Sequence, residues 1–449
     1  MKTMISANAV ILTTASGARR CLCLVALALV ASAAFVFAQE SAVSPPDQSP
    51  PPRRGERPDR ARPEGRQRYS IEQATSDRAQ LHTIAFDGLA FLTGDFRADT
   101  FLPPGKVSDF FGFQYLRDID TGELGHNTSF LTRIANNTLQ ILDDDRKAQL
   151  AVLGAAQAPQ MRELALMRLP LIQAFRQNLE GRLPDGRTSL DRDAVRKYCA
   201  QIFELGGKLA CERAEVCGRI ARSLTDEQKA RFAQLKFGDS RTWPDVPESF
   251  DRRRVAHEVH VAVMTYASEF FSWYAGSIEA DTYFCPEGHG TYFGAFYVKD
   301  APAIHQPNYS ISTALTGDGG EAFLNALDTS QRAEIASLVD LQRDDLAGIV
   351  QTRRAIATEL RRFLTGATAD LDKVLALSRH YGELDGDLSF FYATHFAAVN
   401  RTLTATQRSA LAKLREPDPR PGRGVFVYAE PLESPRIPSS DFLFTAPPK

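Results

Sequence analysis

The feature that most constrains the fold of this chain is that its sequence repeats within itself. Residues 98–118 (ADTFLPPGKVSDFFGFQYLRD) align without a gap with residues 280–300, at an offset of 182. Two further blocks align at offsets of 185 and 179: 142–181 with 327–366, and 193–235 with 372–414. Three blocks in one order at nearly one spacing predict a tandem duplication of a unit of about 180 residues. Positions kept in both copies then belong to a shared scaffold.

The first 38 residues have the features of an export signal. Arg19 and Arg20 precede an apolar run from Cys21 to Ala38 that ends in small residues. The alternative is a membrane anchor, since the run approaches the roughly 20 residues that span a bilayer. The alanine-rich composition favours cleavage. We therefore expect a periplasmic or secreted protein with no transmembrane segment after cleavage.

Composition also divides the rest of the chain. Residues 39–75 are rich in proline and arginine and poor in apolar residues, which predicts a disordered linker. Residues 417–449 are again proline-rich, but the apolar run Phe442-Leu443-Phe444 predicts an extended C-terminal strap docked on the fold. Between these segments we expect two helical repeat units, 76–246 and 247–416. The net charge of −2 gives no sign of nucleic-acid binding.

Cysteine usage fits an oxidising compartment. Removal of the signal leaves Cys199, Cys211, Cys217 and Cys285, an even number that permits two disulfides. Three of these cysteines fall in one predicted helical stretch, at spacings that do not favour a bond within a straight helix. At most one bridge is expected, joining Cys285 to one of the others.

A short pattern typical of helix starts occurs four times, beginning at Leu142, Leu224, Leu327 and Leu403. Thr225, Asp328 and Thr404 are predicted to cap the free amides, while a Gln three residues later bonds back to the cap. Apolar residues eight and eleven positions after each Leu then share one helix face. In the first copy Arg146 replaces the Gln, so only the forward half of the box is expected there.

The stretches around these starts predict long helices. Asp328 to Leu364 is expected to be helical up to Gly366, and Leu371 to Thr402 to return antiparallel to it. Helices of this length would extend roughly 45 Å. In the first copy Pro159 and Pro170 predict a kinked or split helix. Because no segment alternates with period two, the predicted fold is all-α: a tandem duplication of a helical-hairpin bundle.

A repeated Leu-Thr-x-x-Gln at the start of amphipathic helices, in an exported chain, resembles the LTxxQ-motif family of periplasmic stress proteins. The resemblance rests on Leu224-Thr-Asp-Glu-Gln228 and Leu403-Thr-Ala-Thr-Gln407. The patterns that begin at Leu142 and Leu327 match the motif less completely. The family consists of helical-hairpin chaperones and metal-responsive sensors. The resemblance therefore implies helical hairpins and the cell envelope, and it suggests chaperone or metal-sensing function. The blocks at 98–118 and 280–300 are not explained by it, and the larger unit resembles uncharacterised exported bacterial proteins.

Polar residues kept in both copies outside the caps are the candidates for a ligand site. Aromatic residues surround them, and a functional interpretation is two related aromatic clefts with carboxylate and phenol groups that face a ligand. The alternative is that these residues only tie loops to helices. The aligned pairs are Asp99 with Asp281, Tyr115 with Tyr297, Asp118 with Asp300, and Glu204 with Glu383.

A second candidate is a metal site present in one copy only. Cys285 and His289 lie four residues apart, and a transition metal such as Zn²⁺ or copper would need further ligands. His305 could supply one of them, or His257 and His260 could, since residues three apart share a helix face. The first copy has Pro103 and Val107 at the positions of Cys285 and His289.

Three hypotheses for function follow. The first is a non-enzymatic exported protein that binds a client, a polymer or a small ligand, with envelope proteins or polymers as partners and no cofactor. The second is a transition-metal-binding or metal-sensing protein. The third is a hydrolase that uses the paired carboxylates, since two carboxylates suffice for glycoside hydrolysis.

Overall fold

The computed structural model of this protein describes residues 76–93, 129–167, 169–235, 243–276, 319–415 and 439–446. In these residues 82% are helical and no strand forms, which confirms the predicted all-α fold. All of them belong to one compact unit, Ala61–Lys449. No helix within these ranges has the length and apolar character needed to cross a membrane. The predicted export signal and the predicted linker, residues 1–75, lie outside the described residues.

The described ranges contain twelve α-helices and three short 3-10 helices. The helices before residue 243 are α1 (Asp77–Thr93), α2 (Ser129–Ile141), α3 (Asp144–Met167), α4 (Leu169–Glu180), α5 (Arg192–Ser223) and α6 (Asp226–Gln234). Those after it are α7 (His257–Ala275), α8 (Gly319–Ala326), α9 (Thr329–Leu341), α10 (Arg343–Leu360), α11 (Leu371–Thr402) and α12 (Ala405–Arg415). The 3-10 helices are Arg252–Arg254, Arg361–Thr365 and Asp441–Leu443.

The two longest helices, α5 and α11, form the centre of the molecule. They run antiparallel, because Arg192 pairs with Asp387 near the start of α5 and Glu204 pairs with Arg379 farther along it. Phe203 lies between the helices, its ring centroid 4.9 Å from that of Tyr381. The backbones approach closely at Gly382, where a Cβ would lie 2.6 Å from the Cys199 carbonyl oxygen. This contact requires glycine.

The first helix of each predicted unit packs on helices of the other unit. Helix α1 precedes the first set of helices but packs against α8, α9 and α12 of the second set. Helix α7, which opens the second set, packs against α2 and α3 of the first. Each also receives an arginine at its C-terminal end: Arg176 donates to the Phe91 carbonyl at 2.9 Å and Arg361 to the Trp273 carbonyl at 2.8 Å. Each unit therefore supplies a helix that completes the core of the other.

The helix starts follow the predicted capping pattern. Thr225 with Gln228, and Asp328 with Gln331, form complete capping boxes. Thr404 and Gln407 make the same two bonds, at 3.2 Å and 2.9 Å. In the first copy only the forward bond of the box is present at Arg146, from its amide to the Asp143 carboxylate at 3.0 Å. The four helix starts are thus confirmed.

The capping glutamines also join neighbouring helices. Gln228 Nε2 donates to the Ile141 carbonyl at 3.0 Å, and Gln407 Nε2 donates to the Ala326 carbonyl at 3.2 Å. Each of these carbonyls lies at the end of a helix, where backbone acceptors lack partners within the helix. Each glutamine side chain therefore caps the start of its own helix and also donates a hydrogen bond to a carbonyl at the end of another helix.

The long helices were predicted with unequal accuracy. Helix α11 spans Leu371–Thr402 as predicted, and Gly366 adopts φ +85° as the expected left-handed terminator. The prediction of one continuous helix from Asp328 to Leu364 was wrong. The helix is interrupted at Gln342, whose carboxamide turns into the core and bonds to Tyr392 and Gln80. Its last turn tightens into the 3-10 helix Arg361–Thr365.

The corresponding stretch before α5 contains the two prolines for which a kink or split was predicted. Pro159 lies inside α3, whereas Pro170 is the second residue of α4, just after the end of α3 at Met167. The first turn of a helix tolerates proline because its amide needs no partner within the helix. Arg168, between α3 and α4, lies outside the described residues, so the kink or split stays a prediction.

Part of the predicted C-terminal strap is described, and it docks on the fold. Leu443 and Phe444 are buried. The Asp191 amide donates to the Leu443 carbonyl at 2.9 Å, and the Thr445 amide donates to the Ser189 carbonyl at 2.9 Å. The strap thus pairs with the loop before α5. Its other apolar run, residues 425–428, lies outside the described residues.

Cleavage between the two halves should not separate them. A specific protease site placed within residues 236–242 would cut the chain after α6 and before α7. Because α1 and α7 are each packed in the opposite half, we expect the cleaved protein to elute as one species in size-exclusion chromatography. Denaturant should release two fragments. Separate elution of the halves in native buffer would contradict the exchange, and the uncleaved insertion variant is the control.

Gly382→Ala should destabilise the protein. The added Cβ would meet the Cys199 carbonyl oxygen at 2.6 Å and Ala200 Cα at 2.7 Å, both backbone atoms. We expect a loss of about 1–3 kcal/mol in the free energy of unfolding, the usual cost of overpacking. Gly348→Ala is the matched control: its Cβ would meet only the end of the Leu384 side chain, at 2.9 Å. The control should be neutral or stabilising, because alanine favours helix. Equal effects in chemical denaturation would argue against the close approach.

Candidate functional site

The described part of the predicted metal site is a histidine engaged with a carboxylate. His260 Nε2 lies 2.6 Å from Glu248 Oε1, and its ring stacks on Phe250 with centroids 6.3 Å apart. His257 is the first residue of α7. Within the described ranges no three His, Cys, Asp or Glu residues group closely enough to hold a metal ion. Cys285 and His289 lie outside those ranges, so the metal site stays a prediction.

Of the predicted ligand-binding residues, the structure describes Glu204 and Glu383. Glu204 accepts two hydrogen bonds of 2.6 Å from the Arg379 guanidinium, which lowers the pKa of the carboxyl. Glu383 Oε2 lies 3.9 Å from Arg196 Nη2 and 3.7 Å from His380 Nδ1. Except for the Glu383–His380 contact within α11, these interactions link α5 to α11. The other six candidates are outside the described residues: Asp99, Tyr115, Asp118, Asp281, Tyr297 and Asp300.

The cysteines contribute to packing. Cys211 and Cys217 are free, buried thiols, and burial raises their pKa to about 11 and about 12. Thiols that hold their proton this strongly are poor nucleophiles and poor metal ligands at neutral pH. Cys199 is buried where α5 meets α11. The predicted bridge to Cys285 lies outside the described residues.

Sequence reasoning missed a buried polar cluster beneath α7, here called the Glu269 cluster: Gln157, Arg213, Tyr266 and Glu269. Arg213 Nη1 lies 2.7 Å from Glu269 Oε2, and both side chains are at most 1% exposed. The Tyr266 hydroxyl donates to Gln157 Oε1 at 2.6 Å. Burial raises the pKa of Glu269 to about 8, although Arg213 opposes the rise.

A second buried cluster lies beneath α1, here called the Asp87 cluster: Gln80, Asp87, Gln342 and Tyr392. Gln342 Nε2 donates to Gln80 Oε1 at 2.7 Å, and Gln342 Oε1 accepts from the Tyr392 hydroxyl at 2.7 Å. The pKa of Tyr392 is raised well above its ordinary value by burial and, next in size, by the charge of Asp87.

The two clusters occupy aligned positions of the sequence repeat. Gln157 aligns with Gln342 at offset 185, Arg213 with Tyr392 at 179, and Glu269 with Asp87 at 182. In each cluster the exchanged helix carries the carboxyl group, and a glutamine oxygen accepts a hydrogen bond from a tyrosine hydroxyl. Closed off from solvent, these groups cannot meet a substrate. They belong to the scaffold that holds the exchanged helices.

An open cleft lies between the loop that follows α4 and the second half of α11. Its volume is about 290 Å³, and it is here called the Arg401 cleft. The lining combines a cation, an aromatic ring, hydroxyl groups, an amide and an apolar wall: Arg401, Phe390, Thr394, Thr188, Asn178 and Leu190. The strap fixes one side of it, because Arg187 and Ser189 in the loop bond to the backbone of Phe444 and Thr445.

The loop that borders the cleft is longer than the aligned connection in the second half of the chain. Residues 181–191 connect α4 to α5, whereas residues 366–370 connect the 3-10 helix to α11. The difference of six residues equals the change in the repeat offset from 185 to 179. That change was visible in the sequence, and it is the signal that could have located the cleft.

Comparison of the chain with protein-family models, with curated proteins and with solved structures finds no match.

The stability of the protein should depend on pH through Glu269. Folding raises the pKa of its carboxyl from an ordinary 4.5 to about 8, so the folded chain keeps a proton that the unfolded chain loses. The contribution of this group to the free energy of unfolding is therefore fully present below pH 4.5 and is lost as the pH rises through 8. We expect the free energy of unfolding of the wild type to fall across this window relative to Glu269→Gln. If chemical denaturation gives the wild type and Glu269→Gln the same dependence of the free energy of unfolding on pH, Glu269 is ionised in the folded protein across this window.

Proposed function

We propose that this chain is a non-enzymatic binding protein of the bacterial envelope that holds a small ligand in the Arg401 cleft. Export through residues 1–38 is part of the proposal and rests on the apolar run behind Arg19 and Arg20. The observation that carries the proposal is the cleft itself, which opens to solvent and mixes a cation, an aromatic ring and hydroxyl groups. Such a mixture of apolar surface and a few polar groups is typical of small-molecule sites.

The contacts of the described candidates support binding rather than catalysis. Glu204 and Glu383 take part in ion pairs between α5 and α11, and the carboxyls of Asp87 and Glu269 are buried. A catalytic acid or base must reach the proton that it transfers in the substrate. None of these four carboxyls lines the Arg401 cleft.

We also propose that the chain arose by duplication. Corresponding contacts of aligned residues support this proposal. Gln157 and Gln342 each accept a hydrogen bond from a buried tyrosine hydroxyl. Arg176 and Arg361 each donate a hydrogen bond to a backbone carbonyl near the end of an exchanged helix. A kinship with the LTxxQ proteins remains part of this proposal. Its support is limited to the capped helix starts.

A ligand screen with a blocked cleft tests the function. Thr394 lies on α11, and its hydroxyl donates only to carbonyls of its own helix, so Thr394→Trp should fill the cleft without removing a tertiary hydrogen bond. We expect one or more members of a panel of sugars, polyols, amino acids and organic acids to raise the melting temperature of the wild type. The same ligands should leave that of the variant unchanged.

The matched control is Ala412→Trp, an indole added at an exposed position of α12 that does not line the cleft. This variant should bind like the wild type in isothermal titration calorimetry. A panel that shows no binding to the wild type, or equal binding to Thr394→Trp, would refute the proposed function.

A further inference from the structure

The two copies use one aligned arginine in different ways. Arg222 in α5 and Arg401 in α11 align at offset 179. The Arg222 guanidinium donates to the Phe363 carbonyl, and its side chain packs beside Gly366 in the short connection of the second copy. Arg222 therefore ties a long helix to the turn beside it.

Arg401 does not make the corresponding bond. The neighbouring Asn400 takes over the link to α4, because its Nδ2 donates to the Leu179 carbonyl at 3.0 Å. Asn178 adds a second link, from its Nδ2 to the Ala393 carbonyl at 3.2 Å. With these two amides in place, Arg401 is not needed to hold α4 on α11, and it lines the cleft.

The cleft therefore presents a cation without a matching anion. Among the described residues, no carboxylate lies within ion-pair distance of Arg401, and the other lining groups are neutral. An arginine guanidinium offers two parallel N–H donors that match the two oxygens of a carboxylate. Charge and geometry thus both favour a carboxylate here.

The rest of the lining suggests what carries that carboxylate. Phe390 offers an apolar ring face, and Thr188 and Thr394 offer hydroxyl groups. The volume of about 290 Å³ limits the ligand to a compact molecule. We propose that the Arg401 cleft binds a small hydroxylated carboxylate of the size of a sugar acid, with Arg401 on the carboxylate. This inference rests on the proposed function and names its ligand class.

Matched ligand pairs test the inference in calorimetry. Glucuronate, galacturonate and gluconate each have a neutral counterpart, glucose, galactose and sorbitol, with a hydroxymethyl group in place of the carboxylate. We expect one or more of the acids to bind the wild type, roughly tenfold to a hundredfold more tightly than its counterpart, which is the effect of a hydrogen bond to a charged group. Glucose 6-phosphate is included to distinguish a carboxylate site from a phosphate site.

Variants at the two aligned arginines identify the group responsible. Arg401→Gln should reduce the affinity for the acid to that for the neutral counterpart, and Arg401→Lys should retain part of it. Arg222→Gln is the matched control, and we expect it to lower the melting temperature without changing the affinity. Binding of the acid that Arg401→Gln leaves intact, tighter binding of the phosphate, or no binding of any acid would each overturn the inference. Binding of a neutral ligand that Thr394→Trp abolishes would still sustain the proposed function.

Discussion

Each exchanged helix carries a carboxyl residue into the interior of the bundle, Asp87 in α1 and Glu269 in α7. Burial of a carboxyl group is costly unless neighbouring groups compensate for it. At Glu269 the neighbour is Arg213, whose Nη1 lies 2.7 Å from Glu269 Oε2. Asp87 is buried beneath α1 together with the polar side chains of Gln80 and Gln342. The ion pair between Arg213 of α5 and Glu269 of α7 is made only in the observed register of α7, so its loss would oppose a shift of that helix.

The exchange accounts for the cohesion of the described helices. Helix α1 fills a groove between α8, α9 and α12, while α7 covers α2 and α3. Because the donor of each helix is the other half of the chain, neither half contains its complete core. The central contact between α5 and α11 adds a second connection, and its closeness depends on the glycines of α11. The two halves are thus joined through a shared interior.

Local sequence patterns predicted much of this fold, but its long-range connections were not predictable. The ends of α11 and the capped starts at Thr225, Asp328 and Thr404 follow from cap chemistry and periodicity, which act within a few residues. No local sequence pattern of this kind predicts the exchange of α1 and α7. The 35 residues from 94 to 128 and the 42 from 277 to 318 are long enough for either helix to pack on its own half or on the other. The interruption at Gln342 was missed because its cause is a tertiary contact with Gln80 and Tyr392.

Aligned positions of the two halves make some contacts in common and others in one half only. Glu204 and Glu383 are kept in both copies, and their contacts between α5 and α11 belong to the scaffold. Arg222 and Arg401 also occupy aligned positions, yet only Arg222 bonds to a turn. At the other position the amides of Asn178 and Asn400 link α4 to α11. The other groups that line the cleft are neutral, so the partner proposed for Arg401 is an anionic ligand.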